Sequence, residues 1–232
     1  MKFKRLVMDR RLTGLNSIVV LSTLGLFAEL FGNGFNSVVK ILILIVALGI
    51  SVVVFVVDYQ RPLISSTEEA RKELIEGFLL PMLCVEVKEL VPDKSNAILR
   101  INIMPMKKTL FVPKGLSIKY AFGAYSDSER SMVWQLEEGC CGFAYSEKRQ
   151  LSYDRVTNHE MQAKMTDLQK QTTTGVHCVL STPIFRSPDR ANNDPIGVLN
   201  IDSSQPIGET PLMNTEVWLR IEQFANAAGT LL

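Results

Sequence analysis

The chain has 232 residues, of which 47% are hydrophobic, and its 25 Lys and Arg are balanced by 24 Asp and Glu. This balance argues against a nucleic-acid-binding protein, which normally gathers basic residues on one face. The apolar content argues against an intrinsically disordered chain. Because two long apolar runs lie in the first quarter of the sequence, we expect a membrane segment followed by one globular domain.

The two apolar runs, residues 12–31 and 38–57, each have about 20 residues, enough for a helix to cross a hydrocarbon core of roughly 30 Å. Residues 32–36 between them, Gly-Asn-Gly-Phe-Asn, are typical of a turn. The sequence therefore predicts that residues 1–61 form a short tail and a hairpin of two transmembrane helices. A cleaved signal peptide ending near Gly32 is the alternative, although its apolar core would be shorter than this run.

Basic residues predict the orientation of this hairpin. Five of them precede the first span and none lies in the short loop: Lys2, Lys4, Arg5, Arg10 and Arg11. By the positive-inside rule we expect a multi-pass protein of the cell inner membrane, with the N-terminus and everything after Tyr59 in the cytoplasm. Glu29 and Lys40 would lie at similar depth near the outer ends of the spans. They either reach the headgroups or form an ion pair within the membrane.

Residues 62–232 have the pattern of an α+β domain, a mostly antiparallel sheet flanked by helices. A capping-box pattern at 66–69 predicts a helix that Pro81 ends. Apolar spacing predicts two further helices, over residues 158–170 and 214–228. Alternating and continuous apolar runs predict strands over residues 98–103, 109–112, 116–122, 176–185 and 196–201, and a strand pair over 141–153 that turns at 147–149.

Three short motifs resemble those of the GAF family of small-molecule-sensing domains. Residues 139–144 are similar to its G-x-x-G-aromatic-small turn, residues 181–184 to its S-x-P-aliphatic strand, and residues 196–203 to its G-V-L-x-aliphatic-x-S strand. The resemblance covers the chain from about Ser65 to its end. It implies a ligand pocket on one face of the sheet, closed by a segment at about 120–174.

That segment holds the candidate ligand-binding residues: Tyr120, Phe122, Trp134, Tyr145, Arg155, Thr157, Asn158, His159 and Thr174. Aromatic walls with hydroxyl and guanidinium donors suit a nucleotide. Core packing is the alternative for the aromatic residues, and a solvated surface charge is the alternative for Arg155. The Asn-Lys-Phe-Asp-Glu set of the family's cyclic-nucleotide phosphodiesterases is not found in the sequence, so a cyclic nucleotide is permitted rather than indicated.

The four cysteines, Cys84, Cys140, Cys141 and Cys178, have no zinc-ligand spacing, and in a cytoplasmic domain we expect them to be reduced thiols. The sequence predicts no catalytic residue, metal ligand or cofactor, and therefore a protein that is not an enzyme. Some members of the GAF family, which this domain resembles, reduce free methionine sulfoxide with cysteines, so thiol chemistry remains an alternative.

The domain order leads to a functional hypothesis. The sequence ends directly after the last predicted helix, so we expect the output of a sensor to be the membrane hairpin, self-association as a homo-oligomer, or a separate partner. This layout is similar to the two-span effectors of bacterial cyclic-nucleotide antiphage defence, which damage the membrane. A membrane-tethered adaptor for a signalling protein is the alternative, followed by a methionine sulfoxide reductase. The expected partners are the lipid bilayer and a small-molecule ligand, without nucleic acid.

Overall fold

The computed structural model describes residue 46 and residues 66–109, 112–158, 161–162, 164–187 and 193–232. The chain divides into two compact units, Met1–Ala70 and Arg71–Leu232. In the first unit, Val46 and residues 66–70 are helical. The predicted spans, with Glu29 and Lys40, lie outside the described residues apart from Val46. None of the helices in the described residues is both long and apolar enough to cross a bilayer.

The second unit is built on an antiparallel sheet, which confirms the predicted α+β fold class. Its order in the described part is β2-β1-β6-β5-β4, and β3 also pairs with β1. The strands are β1 (Leu99–Thr109), β2 (Val112–Leu116), β3 (Tyr120–Phe122), β4 (Leu151–Asp154), β5 (Cys178–Ile184) and β6 (Gly197–Ser203). The helices are α1 (Leu80–Glu89), α2 (Asp127–Ser131), α3 (Gly139–Glu147), α4 (Asp167–Thr172) and α5 (Thr215–Leu231). Short 3-10 turns lie at Pro92–Lys94, Ile207–Glu209 and Pro211–Met213.

One face of the sheet carries the main hydrophobic core, because apolar and polar residues alternate over residues 99–103 of β1 and 199–202 of β6. Ile101, Ile103 and Leu199 are buried against α1 and α5. Helix α5 begins at Asn214, whose side chain accepts the N–H groups of Glu216 and Val217. The predicted helix over 214–228 is therefore confirmed. The residues that alternate with the core positions, such as Asn102 and Asn200, point to the opposite face of the sheet. That face is covered by α3 and the loops before and after it.

Pro81 does not end the first helix, so that prediction is wrong. Residues 71–74 are helical, Ile75–Leu79 form a π-turn, and α1 continues through Pro81 to Glu89. The wider turn pairs the N–H of Leu80 with the carbonyl of Ile75, five residues earlier. A proline lacks an N–H and its ring normally collides with the preceding turn, and the extra residue in the π-turn accommodates both.

The strand pair predicted over 141–153 is also wrong, because α3 occupies Gly139–Glu147 and only β4 is extended. The buried residues Cys140, Cys141, Ala144 and Tyr145 follow helical spacing. Gly142 lets α3 approach the chain before it, since a Cβ there would lie 2.5 Å from the carbonyl oxygen of Gln135.

The prediction of one helix over residues 158–170 is wrong, because the main helix of this region, α4, begins only near the end of that range. Residues 161–162 are helical, whereas α4 begins only after Thr166. Thr166 has extended backbone angles, and its side chain accepts the N–H of Gln169 while the Gln169 side chain accepts the N–H of Thr166. This capping box starts a new helix and excludes a continuous one.

Candidate functional site

A cavity of about 100 Å³ lies on the second face of the sheet, beneath α3 and the loops that flank it. The strands supply its floor: Arg100, Asn102, Met104, Tyr153, Val179, Asn200 and Asp202. Residues 118–141 and 155–176 supply its walls: Ile118, Tyr125, Glu129, Met132, Trp134, Gly139, Cys140, Cys141, Arg155, Gln162, Met165, Lys170, Thr173 and Val176. This volume holds several water molecules or a small ligand.

Two cross-strand pairs make the floor polar. In the antiparallel register of β1 and β6, Arg100 lies opposite Asp202 and Asn102 opposite Asn200. Arg100 Nε donates to Asp202 Oδ1 at 2.6 Å, and Asn200 Nδ2 donates to Asn102 Oδ1 at 3.1 Å. Ser181 Oγ on β5 donates to Asn200 Oδ1 at 2.7 Å. A continuous row of hydrogen-bonded side chains therefore crosses three strands.

Tyr125 joins the two halves of this row. Its hydroxyl donates to Asp202 Oδ2 at 2.9 Å and accepts from Asn102 Nδ2 at 3.0 Å. Its ring lies 4.3 Å from the Arg100 guanidinium carbon, within the range of a cation–π contact. Burial raises the pKa of the Tyr125 hydroxyl well above 10, so it remains a donor at neutral pH.

Arg100 is fully engaged by its neighbours. Besides Asp202, its Nη1 lies 3.0 Å from Glu129 Oε1 and donates to the carbonyl of Ala124 at 2.8 Å. Burial raises the pKa of Asp202 above its usual value, and the guanidinium opposes that rise. The pKa of Arg100 is also raised, because the attraction of its acidic neighbours outweighs its burial. Since two carboxylates face one guanidinium, this end of the cavity offers no excess positive charge.

Two further cations, Arg155 and Lys170, line the cavity. The Arg155 side chain donates to the carbonyl of Thr174, and no ion pair within 4.0 Å joins it to an acidic residue in the described part of the chain. Lys170 Nζ lies 3.9 Å from Asp167 Oδ1, the outer limit for an ion pair, and that carboxylate is fully exposed. These two side chains are therefore available to an anionic group of a ligand.

Trp134 forms an aromatic wall held by backbone contacts. It exchanges two hydrogen bonds of 2.8 Å with Leu116. Its ring lies against the first turn of α3, where a Cβ on Gly139 would be 2.8 Å from the ring carbon Cζ3. Gly139 also has φ +58°, a conformation that glycine adopts without strain. The thioethers of Met132 and Met165 line the same cavity and supply an adaptable apolar surface.

Cys140 and Cys141 line the cavity as buried thiols. The Cys140 thiol donates to the carbonyl of Leu151 at 3.4 Å, and the Cys141 thiol to that of Glu138 at 3.9 Å. Burial raises the pKa of Cys140 to about 12 and that of Cys141 further. Both are therefore protonated at neutral pH, whereas nucleophilic cysteines have lowered pKa values. The described residues contain no cluster of three or more His, Cys, Asp or Glu that could hold a metal ion.

The structure brings two of the nine predicted ligand-binding residues, Trp134 and Arg155, to the cavity. Tyr120 and Phe122 lie with the main core on the other face, and Tyr145 packs in a cluster that includes Met104.

Of the remaining four predicted residues, three do not line the cavity and one lies outside the described residues. The Asn158 side chain accepts the N–H of Asp154. Thr157 and Thr174 are exposed, and His159 lies outside the described residues.

Sequence reasoning missed the polar floor formed by Arg100, Asn102, Asn200 and Asp202. The signal was present, because polar residues alternate with apolar ones over residues 99–103 and 199–202, at the predicted strands 98–103 and 196–201. Such alternation predicts a second, non-core face.

Comparisons with known proteins find similarity in structure only. No family model matches the chain, and no curated protein matches it in sequence. A type II free methionine-R-sulfoxide reductase from Thermoplasma acidophilum is similar over 71% of this chain and 94% of its own, with 16% identity and a TM-score of 0.47. The GAF domain of an Acinetobacter phosphoenolpyruvate-protein phosphotransferase is similar over 68% and 92%, with 13% identity and a TM-score of 0.44.

Proposed function

We propose that residues 71–232 form a sensor domain that binds a small molecule in this cavity and signals to the N-terminal segment that the sequence predicts to lie in the membrane. The observation that carries the proposal is the construction of the cavity. Its floor is a buried, hydrogen-bonded polar row, while its walls are aromatic and thioether side chains. Enclosed apolar pockets with a few fixed polar groups are the usual form of small-molecule sites.

The charges around the cavity favour an anionic ligand with an apolar or aromatic body. Arg100 is neutralised by Asp202 and Glu129, whereas Arg155 and Lys170 have weak or no acidic partners among the described residues. A guanidinium binds carboxylate or phosphate with two parallel hydrogen bonds. The ring of Trp134 and the thioether of Met165 would contact the remainder of the ligand. A cyclic nucleotide has this chemistry and is the first candidate.

The output proposed for this sensor is a change in how copies of the chain associate and how their membrane hairpins pack. In the most specific form of this proposal, ligand binding causes the hairpins to disrupt the bilayer, as in an effector of antiphage signalling. To shift a switch from 1:99 to 99:1, the ligand must bind the active state more tightly by about 5.5 kcal/mol. Fractionation should place the full chain in the membrane pellet, and cells given the active nucleotide should depolarise.

Ligand binding is tested by thermal shift of the full chain in detergent with cyclic AMP, cyclic GMP and methionine sulfoxide as probes. We expect one probe to raise Tm, because a ligand that binds only the folded state stabilises it by mass action. Arg155→Gln should weaken that probe about 10- to 150-fold, the loss of one charge-assisted hydrogen bond of about 1.5–3 kcal/mol.

The matched control is Arg149→Gln, since Arg149 is exposed and pairs with Glu147 away from the cavity. Equal weakening by both variants would contradict the assignment of Arg155. A flat response to all three probes would remove these ligands from consideration.

The methionine sulfoxide reductase alternative has one favourable observation, namely that Cys140 and Cys141 line the cavity. Their raised pKa values oppose it. Activity on methionine sulfoxide that disappears in Cys140→Ser or Cys141→Ser would establish the enzyme instead of the sensor. The adaptor alternative predicts a second protein that copurifies in stoichiometric amount.

A further inference from the structure

Residues 123–131, which we call the lid, form part of the cavity wall without contributing a buried side chain. Their sequence is Gly-Ala-Tyr-Ser-Asp-Ser-Glu-Arg-Ser, and none of them is fully buried. Tyr125 and Glu129 line the cavity from this segment. The floor is shielded from solvent, since Asn102 is 3% exposed and Asp202 5%. Because water barely reaches these side chains, a larger ligand can contact them only after a wall moves.

Polar contacts join the lid to the sheet. In the part of the chain that the structure describes, every hydrogen bond and ion pair that leaves the lid ends on one of three strand side chains: Arg100, Asn102 or Asp202. Arg100 Nη1 makes two of these contacts, to the carbonyl of Ala124 at 2.8 Å and to Glu129 Oε1 at 3.0 Å. The Tyr125 hydroxyl makes the other two.

The ends of the lid are fixed to the sheet. Phe122, directly before the lid, pairs with Ile101 in the register of β3 and β1. After the lid, Met132 is 8% exposed, and Trp134 exchanges two backbone hydrogen bonds with Leu116. The lid is therefore a short polar segment between two anchored ends.

The lid is easier to move than the helix on the same face of the sheet. Helix α3 buries apolar side chains, among them Ala144 and Tyr145. Moving α3 would expose apolar surface to water, whereas moving the lid exchanges its polar contacts for contacts with water. Segments with few buried apolar contacts open locally at the lowest cost in free energy.

We propose that the lid opens as a unit to admit and release the ligand, and that its four contacts with the strand side chains are the latch that keeps it closed. Glu129 couples this latch to the lid's own helix, because its Oε2 accepts the N–H of Ser126 at 2.8 Å while its Oε1 faces Arg100. Loss of the ion pair therefore also loosens the start of α2. The role in ligand exchange rests on the function proposed above, whereas the opening itself is measured without a ligand.

Thiol labelling of the full chain in detergent measures the opening. Cys140 and Cys141, the cavity thiols, line the cavity, whereas Cys84 and Cys178, the core thiols, lie in the main core on the other face. Opening of the lid should expose the cavity thiols alone, whereas global unfolding exposes all four. Mass spectrometry after timed pulses of a maleimide at pH 8 gives the labelling rate at each cysteine.

Glu129→Gln removes the charge that faces Arg100 and keeps the length of the side chain. It should increase the labelling rate of the cavity thiols about 10-fold, the effect of weakening one charge-assisted hydrogen bond on the opening equilibrium. The core thiols should keep their rates. The matched control is Asp127→Asn, which removes a charge from the same turn of α2. The Asp127 side chain is exposed and makes no hydrogen bond or ion pair within the described ranges, so this variant should behave as the parent chain.

Tyr125→Phe tests the other half of the latch, because it removes the hydroxyl and keeps the ring beside the guanidinium. It should also accelerate labelling of the cavity thiols alone. An equal increase at all four thiols would show a general loss of stability, and no increase in either variant would show that these contacts do not hold the lid. Either result overturns the proposal. A flat thermal-shift screen would instead remove the proposed ligands and leave the labelling result unaffected.

Discussion

Replacement of Arg100 by methionine tests whether the polar floor of the cavity is an electrostatic unit. The change keeps most of the side-chain length and removes the guanidinium that lies 2.6 Å from Asp202 and 3.0 Å from Glu129. The Asp202 carboxylate would remain buried, with the Tyr125 hydroxyl as its hydrogen-bond donor. Removing one partner of a buried ion pair costs about 3–5 kcal/mol. Because the Arg100 side chain is 21% exposed, we expect a loss of about 2–4 kcal/mol.

Thermal unfolding at pH 7 should show this loss as a decrease in Tm of roughly 5–15 °C, given about 2–4 °C per kcal/mol for a domain of this size. The loss should also depend on pH. Without Arg100, the folded-state pKa of Asp202 rises further above its unfolded value, so the ionised carboxylate opposes folding. That penalty is complete above the folded-state pKa and absent below the unfolded one, so the deficit should shrink as the pH is lowered through the folded-state pKa toward the unfolded-state value of about 4.

A second variant separates charge from packing. Arg100→Met combined with Asp202→Asn removes the buried charge, so the double variant should be more stable than Arg100→Met alone. A deficit below about 1 kcal/mol, or a double variant no more stable than the single one, would refute the view that the pair acts as an electrostatic unit.

Two other predictions concern packing and thiol reactivity. Gly142→Ala should lower Tm by several degrees, since its Cβ would lie 2.5 Å from the backbone oxygen of Gln135, whereas Gly77→Ala, with open space around it, should be neutral or stabilising. Equal effects of the two changes would contradict the close packing of α3. The folded protein should react slowly with a thiol reagent at pH 8 and rapidly in urea, because burial raises the pKa of Cys140 to about 12 and of Cys178 to about 11. At pH 8 only about one Cys140 thiol in 10⁴ would be ionised. Rapid reaction of the folded protein would contradict these pKa directions.

The fold class was predictable because hydrophobic periodicity directly reports which residues face the core. The strands around Ile101, Leu180 and Leu199 and the last helix follow that signal. The prediction of the first helix failed because it gave a single residue, Pro81, more weight than the apolar periodicity around it. Pro81 suggests a helix end, yet the π-turn before it absorbs the missing N–H.

The cavity was less predictable than the core, because its residues come from distant parts of the sequence. Trp134 and Arg155 were candidates because they lie in the segment that the family resemblance implies closes the pocket and because their residue types suit a ligand, and both line the cavity. Arg100 and Asp202 are 102 positions apart, and only the strand register brings them together. A polar residue every second position shows that a strand has a second face, but it does not identify the partner strand.

The cross-strand pairs in the floor also bear on how the chain avoids misfolding. Sliding β6 along β1 by two residues would keep each side chain on its own face of the sheet, yet it would separate Arg100 from Asp202 and leave a buried charge uncompensated. A slide by one residue would turn the charges toward the main core. Hydrophobic side chains alone discriminate weakly between such neighbouring alignments. The ionic and amide pairs therefore favour one alignment of the central strands.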